Sequence, residues 1–504
     1  MFSRALAMLA IAASITGCNR APRSSQPRVP AGYATDVAPR ATPVPPPVWT
    51  RRQRDEVTAK MSAIFTGDIA AGMGIVVVAA DGSYLFARRS RVAMTPASTL
   101  KLVIAATVLD SLGPKHRFET RFVGTSPPDA DGVLHGGLWL VGAGDPMLDS
   151  KNVREGVGVL ARSGIKRIDG PLEIDDTSFA GPEQNPRWDP DDLTYDYAAG
   201  TNAIALDGGV VEFDVTPGAP GGDAHVRPIP DNQAIVFSGA IRTSGYGTNT
   251  FVTIERKPQL DRVADGMPSE YLLDGHIAAG ETQKYYKPVL GITQYAGGVT
   301  AAMLAERNIA LPASYRAGAA PANATPLWTH RSPPLEFIVR DMLVHSNNHT
   351  AETLLRIVGE LARHPGTDDA GIAFEKRELA RLGVPRERMR VYDGSGLAPG
   401  DRIMPLTLAE LIAAQLRGPN ADVFVRAMPR VGLDGTVKNH VLHAALGRTR
   451  AKSGHIENVN GLAGTVQTRY HGRVAFAFVV NDRRANADVV TIEEDRALDA
   501  LAQS

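Results

Sequence analysis

The stretch Met94-Thr-Pro-Ala-Ser98-Thr-Leu-Lys101-Leu-Val-Ile-Ala-Ala-Thr-Val-Leu-Asp-Ser-Leu-Gly113 constrains this chain more than any other. Pro96 fits the first turn of a helix, where its missing N–H costs nothing. Gly113-Pro114 supplies the stop. Between them Leu100, Leu102, Val103, Ile104, Val108, Leu109 and Leu112 cover nearly every side, and a helix apolar all round is a buried one. The fold must therefore be built around it. Ser98 and Lys101 lie three residues apart at its N-terminus and share a face. A hydroxyl beside a lysine, at the positive end of a buried helix, has the chemistry of an activated nucleophile. Ser-x-x-Lys is a short pattern, however, and it recurs at Ser163–Lys166. There Ser163-Gly164 sits where a helical segment should end, with no buried helix behind it, so the second copy reads as chance.

At 504 residues the chain should hold two or three domains. Hydrophobic residues at 43% and charged residues at 21% are ordinary for a globular protein. Lys+Arg and Asp+Glu balance at 54 each, which gives no general electrostatic reason to bind nucleic acid. No apolar run after the N-terminus approaches the roughly 18 residues of a membrane span. The one cysteine, Cys18, excludes an internal disulfide framework. Its setting is informative: Arg4, then the apolar Ala5–Ala13, then Ile15-Thr-Gly-Cys18 form a secretory signal. The end of that signal resembles the lipobox of bacterial lipoproteins. The resemblance implies that residues 1–18 are a lipoprotein signal peptide and that Cys18 is lipidated. Asn19 after the cysteine favours the outer membrane, so the expected place is the periplasm, with a lipid anchor as the link to the membrane. Residues 19–49, rich in Pro, Ala and Ser, read as an extended tether.

Structure is expected from Trp49. Residues 52–66 suit a helix, and Met73–Ala80, Asp81-Gly82 and Ser83–Ala87 suit a hairpin with Asp-Gly as its turn. From 116 to 290 short strands alternate with Gly- and Pro-rich turns: 116–123, 137–141, 210–215, 233–237 and 250–254, with one helical piece at 153–162. This reads as a β-rich insertion of two small subdomains. From 291 to 504 helices return at 297–307, 334–345, 349–363, 370–382 and 405–417. Three adjacent strands follow within 448–480, then a terminal helix at 485–501. The first hairpin would complete an antiparallel sheet with those strands. The expectation is an α+β domain, 50–115 and 291–504, split in sequence by the 116–290 insertion.

Two further short motifs stand downstream of Ser98: Ser346-Asn347-Asn348 at a helix junction and Lys452-Ser453-Gly454 opening the last sheet segment. In the order Ser-x-x-Lys, Ser-x-Asn, Lys-Ser-Gly they match the three motifs of penicillin-recognising serine enzymes. The chain resembles one branch, the D-alanyl-D-alanine carboxypeptidase/endopeptidases of the penicillin-binding protein 4 type, which carry a long β-rich insertion between the first two motifs. Gly144-Asp-Pro-Met-Leu, Asp175-Asp-Thr-Ser-Phe, Trp188-Asp-Pro-Asp-Asp-Leu, Ser332-Pro-Pro-Leu, Asp393-Gly-Ser-Gly-Leu and Gly432-Leu-Asp-Gly-Thr recur in order. The resemblance covers about 50–504 and implies a β-lactamase/transpeptidase-like domain, with peptidoglycan stem peptides as substrates and β-lactams as covalent inhibitors. It also implies an acyl-enzyme on Ser98, with Lys101 as base and Ser346 and Lys452 relaying the leaving-group proton. Asn348 would hold the substrate amide. Ser98 and His455 backbone N–H groups would form the oxyanion hole, and Ser453 would bind the terminal carboxylate. The edge at 452–456, through Gly454, would pair with an extended peptide. This chemistry needs no cofactor.

The chain also departs from the family. Ser453 stands where threonine is usual, Val344 where lysine is common, and Ala398-Pro399 where Ser-Arg is common. Asp192, with Tyr197 beside it, matches the family's side-chain-reading aspartate. Without the arginine, the carboxylate of a diaminopimelate side chain would need another grip, for which Arg402 is the candidate. His345 and His349 have a helical metal spacing but lack the zincin glutamate, so no metal is expected. Asp175-Asp176 and Asp191-Asp192 otherwise read as turn residues, as does Asp393-Gly-Ser-Gly. The rival functions are a β-lactamase or esterase on the same domain, and a catalytically silent wall-binding protein.

Overall fold

The structure, a computed structural model, describes residues 48–257, 269–312, 315–482 and 487–504. The signal, Cys18 and the tether as far as residue 47 lie outside them. At the centre is a five-stranded antiparallel sheet in the order β3-β4-β5-β1-β2: β1 Gly74–Ala79, β2 Tyr84–Arg88, β3 Thr449–Ile456, β4 Val459–Gln467 and β5 Arg473–Asn481. The expected hairpin and the three late strands thus meet in one sheet, with Ile75 opposite Phe478 and Val77 opposite Phe476.

Every residue of β1 is buried, because side chains alternate between two covered faces. Val76 and Val78, with Ala475 and Ala477 of β5, face a helical layer made of α1 (Lys101–Leu112), α2 (Leu335–His345), α3 (Asn348–Ala362), α4 (Asp368–Arg381) and α5 (Pro405–Arg417). Alanines on this face let α5 lie close. At Gly74 even a Cβ would fall 2.6 Å from the Pro405 ring. Ile75, Val77, Phe476 and Phe478 face the other way, against the first helix (Arg51–Ile64) and the terminal helix (Ala487–Ala502). Trp49 is buried on the ring of His471, centroids 4.3 Å apart. The first helix opens with a reciprocal cap between Thr50 and Gln53, a motif that satisfies two orphan N–H groups at once.

Between α1 and α2 the described residues build four further sheets, the largest of five strands. Its strands run past 290: Thr325–Arg331 returns to pair with Glu119–Gly124, and Tyr315–Ala317 pairs with Leu172–Asp175. The hydrophobic core of this region takes in the helix Ile292–Glu306 and reaches Trp328. The β-rich stretch therefore closes near Arg331 rather than at 290. Strands such as Gln283–Pro288 escape the pattern reading because they are half-exposed, charged and end in proline. Among the described residues no helix is long and apolar enough to cross a membrane.

Candidate active site

Burial follows the sequence along the nucleophile segment. From Met94 to Leu109, Ser98 alone keeps appreciable contact with solvent. The helix does not begin as a regular α-turn. Ala97–Leu100 forms a 3-10 turn, and α1 proper starts at Lys101. Ala97 takes a left-handed φ of 45°, a conformation that a side chain bears only when its surroundings impose it. They do here: Gly396 packs so tightly on Ala97 that a Cβ there would lie 2.0 Å from the Ala97 carbonyl oxygen.

Lys101 is fully buried, with three acceptors around its ammonium: Ser98 Oγ at 2.9 Å, Asn348 Oδ1 at 2.6 Å and the Ser395 carbonyl at 2.8 Å. Burial lowers its pKa to about 8, against the opposing charges of Asp393 and Glu352. At pH 7 roughly a tenth of the protein then carries the free amine that can accept the Ser98 proton.

Ser346 ends α2 in a left-handed conformation (φ 57°), and Asn347 caps α3 by accepting from Thr350 N at 3.0 Å. This sharp junction sets Asn348 at the first position of α3. Its amide is fixed from both ends: Oδ1 accepts from Lys101, and Nδ2 donates to the Tyr197 carbonyl at 2.8 Å. The inserted segment thus reaches Lys101 through one side chain. The same segment binds the 392–398 loop: Asn185 Nδ2 donates to Tyr392 O at 2.6 Å, and Trp188 Nε1 to Asp393 Oδ2 at 2.8 Å. Tyr197 also donates its hydroxyl to Asp192 Oδ1 at 2.7 Å, and its ring stacks on Tyr195. Partial burial raises the pKa of Asp192, with the Tyr197 hydroxyl opposing.

β3 is an edge strand, and Gly454 faces Gly461 across the β3–β4 pair. Together they make a flat place on the sheet for the Ser98 turn. A Cβ on Gly454 would meet the Pro96 carbonyl at 2.7 Å and the Ser98 and Thr99 amide nitrogens at 3.0 Å. Lys452, two residues earlier and on the same face, is buried and donates to Ser453 O at 2.7 Å. The Ser453 hydroxyl lies 2.7 Å from that of Thr436. His455 is exposed, with Nδ1 2.8 Å from Asn460 Oδ1.

Other residues singled out in the sequence have partners of their own. Arg402 spends Nη1 on Thr95 Oγ1, Pro399 O and Asp401 O, so it clamps the 399–402 turn. His345 is exposed beside Asp341, whereas His349 is buried against the Gly200 carbonyl. Among the described residues no group of three or more His, Cys, Asp or Glu could hold a metal ion. Ser163 caps the end of a helix (Ser150–Arg162) and bonds Val159 O. Asp393-Gly-Ser-Gly is more than a turn: it delivers the Ser395 carbonyl to Lys101. Glu352, buried on α3, holds that loop. It was missed because a lone glutamate in an amphipathic helix reads as surface.

A family model described as the D-Ala-D-Ala carboxypeptidase 3 (S13) family matches residues 57–503. The chain is 30% identical over 427 residues to a D-alanyl-D-alanine carboxypeptidase of Actinomadura sp. (strain R39), covering 81% of this chain and 77% of that protein. It is 23% identical over 398 residues to the D-alanyl-D-alanine carboxypeptidase DacB of Haemophilus influenzae, covering 77% and 80%. The crystal structure of penicillin binding protein 4 (dacB) from Haemophilus influenzae superposes with a TM-score of 0.75 at 20% identity, covering 89% of this chain and 99% of that one, which shows a common fold. The matched span takes in the buried serine–lysine pair, the Asn348 junction and the Lys452 strand alike, and the chain belongs to the D-Ala-D-Ala carboxypeptidase (S13) family as a serine-type DD-peptidase.

Proposed function

We propose that Ser98 is the nucleophile of this peptidase and Lys101 its general base. The observation that carries the reading is the 2.9 Å bond between Lys101 Nζ and Ser98 Oγ, with the lysine buried and its pKa lowered to about 8. Ser98 Oγ attacks the carbonyl carbon of the scissile D-alanyl bond as its proton passes to Lys101. The oxyanion is stabilised by the Ser98 and His455 N–H groups. Collapse expels the D-alanine amine, protonated by way of Ser346 and Lys452, and water then hydrolyses the ester. Asn348 orients the substrate amide, and Ser453, Gly454 and Lys452 receive the terminal carboxylate and backbone. Asp192 and Tyr197 read the stem side chain.

A Haemophilus influenzae relative has been solved complexed with a β-lactam, and the same acylation is proposed here for Ser98. We assign 50–115 and the chain after the inserted sheets to the transpeptidase-like part, with the β-rich region between. Cys18 is the proposed lipid anchor, 19–49 the tether, and the periplasmic face of the outer membrane the place of action. The test is release of D-alanine from a pentapeptide muropeptide. Wild type should release it and Ser98→Ala should not; undiminished release by the variant would remove Ser98 from the mechanism. Digestion of cross-linked muropeptides in the same assay measures endopeptidase action.

A further inference from the structure

Behind Lys101 lies a group of buried carboxyls that the reaction above does not use. Glu352, on α3 one turn after Asn348, is 3% exposed. Its oxygens accept from Gly394 N at 3.2 Å and Ser395 N at 2.9 Å, and the Ser395 side chain also bonds to it. Asp393, fully buried, accepts from Trp188 Nε1, Gly396 N at 2.6 Å and Ala398 N at 2.7 Å. Asp401, also fully buried, accepts from Tyr392 N through Oδ1. Its Oδ2 has no hydrogen-bond partner, and its carboxyl feels that of Asp393. Two carboxylates side by side disfavour each other's ionisation. Burial and the Asp393 charge both push the Asp401 pKa up. The N–H groups of 394, 395, 396 and 398 are thus all consumed by Glu352 and Asp393, and the Ser395 carbonyl is left pointing at Lys101.

We propose that Glu352 is a positioning residue for the reaction: it holds the 393–396 loop so that the Ser395 carbonyl grips Lys101, and its negative charge is part of the field in which Lys101 gives up its proton. This rests on the acylation mechanism above. The charged and titratable groups around Glu352 are Lys101 on α1, Arg356 on α3, Asp368 and Glu375 on α4, and Asp393 and Asp401 on the loop. Arg356 is turned away onto Asp368 at 2.8 Å and the carbonyls of Pro182 and Thr201. Glu375 is buried and raised to about 8. Burial pushes the Glu352 carboxyl well above the usual carboxylate range, Asp393 and Asp368 add to this, and the Ser395 and Gly394 hydrogen bonds oppose it. Both of its oxygens accept N–H donors, and its ionised form is, with Asp393, the negative charge that Lys101 feels.

The experiment is the pH dependence of Ser98 acylation by a chromogenic β-lactam, measured on the full-length protein. Wild type should show an acidic limb near pH 8. Glu352→Gln removes a charge that favours protonated Lys101, so its limb should move down by half a pH unit or more while the plateau falls tenfold or more. A limb that stays in place, whatever the plateau, overturns the proposal, because a merely structural role lowers the rate without moving the pKa. Glu352→Asp keeps the charge but cannot reach both loop N–H groups. Its limb should stay within 0.2 unit of wild type while the plateau falls, and a wild-type plateau would contradict the positioning role even if Glu352→Gln did not fold. Absence of acylation in wild type would instead refute the underlying mechanism.

Discussion

At Gly454 one methyl group decides whether the nucleophile turn can sit on the sheet. An added Cβ would press on backbone atoms of Pro96, Ser98 and Thr99, which cannot swing aside as a side-chain tip can. Gly454→Ala is expected to cost about 1–3 kcal/mol, the usual range for overpacking, and to slow acylation at least tenfold. Thermal unfolding and the acylation rate check both, and a variant with unchanged melting temperature and rate would show that the turn has slack. The other contacts at this scale differ in how readable they are. Ser98, Lys101, Asn348 and Lys452 stand in short motifs because chemistry restricts the residue type at each. The Tyr197 and Ser395 carbonyls that hold Asn348 and Lys101 leave no trace in the sequence, since every residue has a carbonyl. Gly461 is equally silent: a Cβ there would meet Thr99 Cγ2 at 3.3 Å and the Pro96 carbonyl at 3.5 Å, contacts that arise only because the turn lies over the place where it faces Gly454.

The inserted segment 183–201 is hydrogen-bonded into the candidate active site. It supplies the Tyr197 carbonyl to Asn348, and Trp188 and Asn185 to the 392–398 loop. Trp188→Phe keeps the ring volume near Ala198 and Ala398 but removes a donor from the buried Asp393 carboxyl. Loss of one hydrogen bond to a buried charge is worth about 1.5–3 kcal/mol, so the melting temperature should fall and acylation should slow. A fully active, equally stable variant would show that the segment does not steady the loop. Helices were legible as elements: α2 to α5 fall within two residues of their expected bounds, because each is amphipathic or apolar and ends at a cap, Gly or Pro. The insertion was legible as β-rich but not in its pairing. Thr325–Arg331 joins Glu119–Gly124 across the whole insertion, and such non-local pairing is set by the tertiary core rather than by any local pattern.

For the molecule as a whole, the described residues begin at Val48, and Trp49 beside it is buried on His471. We propose Cys18 as a lipid anchor that places the enzyme at the membrane. Cys18→Ser should therefore move the protein from the membrane fraction to the soluble periplasmic fraction with its activity intact, as fractionation followed by D-alanine release would show. Continued membrane association would rule the anchor out. The overall α+β plan, an antiparallel sheet assembled from both ends of the chain around a buried helix, follows from that helix being apolar on every side. The measurement that bears most directly on the account is intact-protein mass after exposure to penicillin, wild type beside Ser98→Ala, with peptide mapping of any adduct. A single adduct on Ser98, absent from the folded variant, is the predicted result; an adduct that persists in Ser98→Ala, or none on folded wild type, would contradict an acyl-enzyme at this serine.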